Sequence, residues 1–173
     1  MKPAPPDTLE VFLGPGELWF GDAATRIRTL LGSCVAIVLW HPQRQVGGMC
    51  HFVLPARMLG QPARRPAYYG DEAMACLLDE ARAWQLPPHE CRIKLFGAGS
   101  MFPDVMAMLQ MHGHARLDVL DVARRNEQTA RRLVQAHGLH KASEDLGGIG
   151  HRSVVFDIWS GDVWVRHAVA THG

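Results

Sequence analysis

The segment from Thr29 to Pro55 constrains this chain most: TLLGSCVAIVLW, then HPQRQVGG, then MCHFVLP. Two apolar runs rich in Val, Ile, Leu and Phe flank a turn-rich stretch, a pattern that predicts two β-strands joined as a hairpin. Gly32, Ser33 and Cys34 open the first strand, and a lone His51 lies inside the second. With the turn centred on Pro42, Gln43 and Arg44, Cys34 stands opposite Val53, and His51 falls on the diagonal of that pair, about 7–8 Å away on the same face. A slip of one residue would put the two on opposite faces. Cys50, adjacent to His51, then points to the other side of the sheet. A thiol beside an imidazole on a rigid sheet is the minimum equipment of a cysteine nucleophile, because the imidazole can hold the thiol as thiolate near neutral pH. Residue type alone leaves a second reading open, in which a buried cysteine and a strand histidine are core residues and nothing more.

Composition narrows the class. At 173 residues the chain suits a single domain, expected over residues 9–170, behind a Pro-rich disordered lead at 1–8. Eighteen basic residues against 17 acidic ones leave no reserve of positive charge for gripping nucleic acid or a membrane surface. The pairs Arg64–Arg65, Arg124–Arg125 and Arg131–Arg132 read as solvated faces. No apolar run reaches the ~20 residues of a transmembrane helix, and the N-terminus MKPAPPDTLE does not resemble a signal peptide. The four cysteines (34, 50, 76 and 91) lack CxxC spacing, so reduced thiols in the cytoplasm are expected and no metal is. His112 and His114 read as surface loop.

Along the chain, Leu9 to Phe20 reads as a strand, a Gly-Pro-Gly turn and a second short strand, and Ile27 to Leu31 as the first core strand. Gly32 breaks it, and a bulge or turn there would leave backbone N–H groups near Cys34 as a candidate oxyanion hole. The alternative is a simple bend at a sheet edge. After Pro55, the stretch ARMLGQPARRPAYYG reads as a loop bordering the site. Apolar residues at 74, 77, 78, 81 and 84 predict an amphipathic helix over Asp71–Trp84. Arg92–Phe96 reads as a strand, followed by the turn Gly97–Ser100 and a short helix with Pro103 in its first turn. That turn lacks the spacing and lysine of a phosphate loop. Leu117–Val122 is predicted as a strand, and Asn126 as the N-cap of a helix Glu127–His137 ended by Gly138. Asp145–Gly148 reads as a tight turn. Val154–Trp159 and Val163–Val169 are expected to form a hairpin about Ser160-Gly161-Asp162. Strands at both ends with helices between them predict a mixed α+β domain and not a doubly wound one.

TLLGSCVA followed by GGMCHFVLP resembles the chemoreceptor glutamine deamidase family, CheD, as do KLFGAGSMF (94–102), RRNEQTARRLVQAHGL (124–139) and DLGGIGHRSVVF (145–156). The resemblance implies a β-sandwich-like core flanked by helices, similar to the cytotoxic deamidase toxins. It implies a protein-glutamine glutaminase with Cys34 as nucleophile, His51 as its base and Thr29 as the residue that orients the imidazole. Thr25 is the alternative for that third position. Gly32 and Ser33 would support the turn and the oxyanion. No cofactor is implied. The expected partner is the cytoplasmic domain of a chemoreceptor, with a CheC-like phosphatase as a further one. The alternative function is an adaptor that regulates such a phosphatase with little turnover.

Overall fold

The computed structural model describes residues 2–111 and 121–169, apart from the side chains of residues 105, 106, 109 and 110. Among the described residues nine strands are formed: β1 (Leu9–Leu13), β2 (Leu18–Gly21), β3 (Thr25–Leu31), β4 (Val35–His41), β5 (Val46–Phe52), β6 (Arg92–Gly97), β7 (His140–Leu146), β8 (His151–Asp157) and β9 (Asp162–Ala168). Helix α1 spans Gly70–Ala83, α2 Pro103–Met111 and α3 Val122–Ala136. The strands make two mixed sheets, one ordered β1-β3-β8-β9 and the other β2-β5-β4-β6-β7. The mixed α+β architecture expected from the sequence is the one observed.

The two sheets face each other across a core that includes Ile27, Leu31, Ala36, Val38, Met49, Phe96 and Phe156. A second core, with Ile37, Leu39, Phe52, Met74, Leu77, Ile93 and Leu133, separates the five-stranded sheet from α1 and α3. That sheet is therefore covered on both faces, and every residue of β4 and β5 is buried. A strand buried on both sides needs a continuous apolar run in place of alternation, and this is the pattern the hairpin carries. In β3, by contrast, Thr25, Ile27, Thr29 and Leu31 are buried toward the other sheet, while Arg28 and Leu30 are exposed between them.

The hairpin register is the expected one: Val35 pairs with Phe52, Ala36 with His51 and Ile37 with Cys50. Helix α1 buries Met74, Leu77, Leu78 and Ala81 of the face read from its periodicity, with Ala73 beside them, while Trp84 of that reading is half-buried as the helix's C-cap.

Three features differ from the sequence reading. Helix α3 begins at Val122, with Asp121 as its N-cap accepting from the Arg124 backbone N–H at 3.2 Å. Asn126 is thus inside the helix, fully buried, and caps nothing. Val122 is helical, while the rest of the strand predicted over 117–122 lies, with His112 and His114, mostly outside the described residues. Residues 140–146 form the edge strand β7, parallel to β6, where only a turn at its end was expected. Gly138 does terminate α3, with φ of 61°. Among the described residues, no helix is long and apolar enough to cross a membrane.

Candidate active site

The site lies where the open ends of β4 and β5 meet β3 of the facing sheet. His51 shares its face of β5 with Met49 and so points into the space between the sheets. Thr29 points toward it from β3. The Thr29 Oγ1 lies 2.8 Å from His51 Nδ1 and 2.8 Å from the Leu13 carbonyl oxygen, and both side chains are buried. A hydroxyl has one proton and a carbonyl can only accept, so Thr29 donates to Leu13 and accepts from Nδ1–H. The imidazole is thereby held as the tautomer whose lone pair is on Nε2. That atom is buried and has no hydrogen-bond partner.

Cys34 precedes β4 by one residue and packs on the same core as Ala36, the residue directly opposite His51. By register it therefore stands one diagonal step from His51, on the same face of the hairpin. Cys50 packs on the opposite core, under the helices. Thr25 is buried in β3 but belongs to its other end, where its backbone pairs with Leu9. Of the two threonines weighed from the sequence, Thr29 is the one that reaches the imidazole.

Burial sets the protonation of the pair. It pushes the Cys34 thiol up to about 11. It pulls His51 down to about 4, against the opposing pull of the Leu13 carbonyl and the Glu17 carboxylate. Near neutral pH the resting pair is thus thiol and neutral imidazole. Desolvation disfavours both charged forms, so a resting thiolate–imidazolium pair is not favoured.

The Gly32–Cys34 loop is fastened at three consecutive carbonyls. Gly99 N–H donates to Gly32 O (2.9 Å), Asn126 Nδ2 to Ser33 O (2.9 Å) and Ala98 N–H to Cys34 O (2.8 Å). The turn at Gly97–Ser100 is the platform for two of these bonds. Gly97 has φ of 116°, and a Cβ there would lie 2.2 Å from Cys34 O, so only glycine fits. The buried Arg152 guanidinium holds the platform from behind, donating to the Gly97 (3.1 Å) and Gly147 (2.7 Å) carbonyls and to Asp145 (2.9 Å). Among the described residues no group of three or more His, Cys, Asp or Glu has the geometry to hold a metal ion.

Sequence reasoning missed two contributors. Leu13 acts through a backbone carbonyl, which no residue type announces. Asn126 carries a polar residue into a buried helix face, but at the start of a predicted helix the same residue reads as a cap.

A hydroxyl that fixes one nitrogen of a buried imidazole and leaves the other bare, with a half-buried thiol one diagonal step away on the same sheet face, is an arrangement suited to general-base attack by sulfur on an acyl carbon. Comparison with known proteins gives the family. The family model described as CheD chemotactic sensory transduction matches residues 53–167. A Pseudomonas fluorescens protein named "Probable chemoreceptor glutamine deamidase CheD" is 46% identical over 164 residues, covering 94% of this chain and 87% of that one. One of the same name from Pseudomonas savastanoi is 47% identical with the same coverage. "Probable chemoreceptor glutamine deamidase CheD 2" of Albidiferax ferrireducens is 45% identical over 157 residues, covering 90% of this chain and 86% of that one. The chain belongs to the CheD family. The family model begins beyond Thr29, Cys34 and His51, whereas an alignment over 94% of the chain takes in β3 to β5.

Proposed function

We propose that this protein is a chemoreceptor glutamine deamidase in which Cys34 is the nucleophile, His51 the general base and acid, and Thr29 the residue that fixes the imidazole. The relatives' names support the substrate. The observation that carries the chemistry is the 2.8 Å contact between Thr29 Oγ1 and His51 Nδ1, which reserves the Nε2 lone pair for the thiol.

The reaction starts from the neutral pair. Nε2 takes the Cys34 proton as sulfur attacks the side-chain carboxamide carbon of a receptor glutamine. Backbone N–H groups of the Ser33–Cys34 turn stabilise the oxyanion. The imidazolium returns its proton to the departing nitrogen, and ammonia leaves. Nε2 then takes a proton from water as it attacks the glutamyl thioester, and the products are glutamate and the free thiol. Each turnover replaces a neutral carboxamide with a carboxylate on the receptor. An adaptor that only bound a CheC-like phosphatase would have no use for a bare, oriented Nε2.

The pH dependence follows from the two shifts. His51 must be unprotonated to act, and its lowered value keeps it so at every pH above about 4. The Cys34 proton remains in place up to about 11. kcat/KM is therefore expected to stay level across the neutral range and to fall only as pH drops toward the lower value or climbs toward the upper one. A step near 6.5, the ordinary imidazole value, would contradict the assignment of His51.

Thr29→Val, close in shape, removes the hydroxyl and leaves Nδ1 free to take either tautomer. Losing one orienting hydrogen bond of about 1–3 kcal/mol should lower kcat roughly tenfold to a hundredfold. Thr25→Val, assayed beside it on a receptor cytoplasmic fragment by ammonia release, should leave the rate unchanged.

A further inference from the structure

Asn126 is the one fully buried polar side chain of α3 whose hydrogen bonds all leave the helix. Its Nδ2 donates to Ser33 O and to Val53 O, each at 2.9 Å. Both partners are carbonyls, so the end of the amide that meets them has to be the nitrogen. Its Oδ1 is left buried with no partner. A lone buried acceptor is a cost that a helix position chosen for packing would avoid, and such exceptions concentrate where function fixes the residue.

The two carbonyls are placed tellingly. Ser33 O belongs to the peptide that joins Ser33 to Cys34. Val53 follows the His51 strand directly and stands where the ladder, continued one step, would face Cys34. The Asn126 amide thus bridges the ends of β4 and β5 beyond their last paired residues, Val35 and Phe52. The peptide is planar and trans, as are all peptides among the described residues. Holding Ser33 O toward Asn126 therefore turns the Cys34 N–H to the opposite side. Since Gly32 O and Cys34 O are held by Gly99 and Ala98, Asn126 supplies the only side-chain member of the three restraints on this loop.

We infer that Asn126 is a positioning residue for the deamidation reaction: by clamping Ser33 O to Val53 O it aims the Cys34 N–H as an oxyanion donor and fixes the thiol's distance from the His51 strand. It acts through Cys34 and touches neither substrate nor imidazole. The inference rests on the proposed roles of Cys34 and His51. Its consequence falls on the transition state, where the oxyanion and the attack angle matter, and not on binding of the glutamine side chain.

The test measures kcat and KM on a receptor cytoplasmic fragment for the wild type and the variants Asn126→Leu, Asn126→Ser, Asp121→Ala and Cys34→Ala. Leu keeps the shape and removes both donors. Ser cannot overfill the site and preserves the fold if Leu does not. Asp121→Ala loosens the start of the same helix without touching either carbonyl, and is the control for general weakening of α3. The expected result is a kcat roughly tenfold to a hundredfold lower in the folded Asn126 variants, with KM little changed and Asp121→Ala turning over at the wild-type rate. Wild-type kcat in Asn126→Ser, a loss confined to KM, or an equal loss of kcat in Asp121→Ala would overturn the clamp while leaving the proposed function standing. Turnover by Cys34→Ala would overturn both.

Discussion

Cys34→Ala should abolish glutamine deamidation while leaving the fold in place. The side chain is half-buried at the open end of β4, and alanine keeps a small apolar group there, so the stability change is expected to stay within about 1 kcal/mol. The loss of activity should be complete by any practical assay, because no other thiol can substitute. Cys50 packs on the opposite face of the sheet, and burial pushes its thiol up to about 12. Cys91 is buried beyond the far end of the hairpin, before β6. Cys76 is in α1, outside the space between the sheets. The check is ammonia release from receptor fragment together with circular dichroism of the variant. Retained release would remove sulfur from the mechanism.

His51→Ala is expected to cost about 10²–10⁴ in kcat, the usual contribution of a positioned general base. The starting state makes this residue more important than in a cysteine enzyme with a standing ion pair. With Cys34 raised to about 11 and His51 lowered to about 4, no thiolate waits at neutral pH, and the proton has to move during attack. Without Nε2 it has nowhere nearby to go. The variant should also lose the level pH profile: its rate should climb with pH, since hydroxide then replaces the base. Thr29 keeps its bond to the Leu13 carbonyl in this variant, so no buried hydroxyl is stranded. Measuring kcat against pH in both proteins checks the point, and a His51→Ala profile that stays level would contradict it.

The hairpin was legible because burial on both faces writes itself as an unbroken apolar run, and because one turn position brings Cys34 and His51 to the same face. Helix α1 was legible from the spacing of Met74, Leu77, Leu78 and Ala81. Strand β7 was not. Its sequence, HKASEDL, is mostly exposed, as an edge strand paired on one side can be, and so carries no alternation. The start of α3 was misplaced because Asp121 and Asn126 are both residues that cap helices, and only the packed structure shows that one caps while the other reaches across to β4 and β5. The Leu13 carbonyl depends on β1 pairing in parallel with β3 across an intervening strand of the other sheet, a topology that no local pattern encodes. What the sequence leaves out at this site is mainly backbone: the carbonyls and N–H groups that hold Thr29 and the Gly32–Cys34 loop.

In the proposed reaction, receptor glutamine passes through a thioester on Cys34. Hydroxylamine attacks thioesters in competition with water, so turnover in its presence diverts product from glutamate to the glutamyl hydroxamate. Mass mapping of a receptor cytoplasmic fragment should find both products with the wild-type protein, at the same glutamines, and neither with Cys34→Ala. Glutamate as the only product at every hydroxylamine concentration, or either product formed by Cys34→Ala, would contradict a thioester on Cys34.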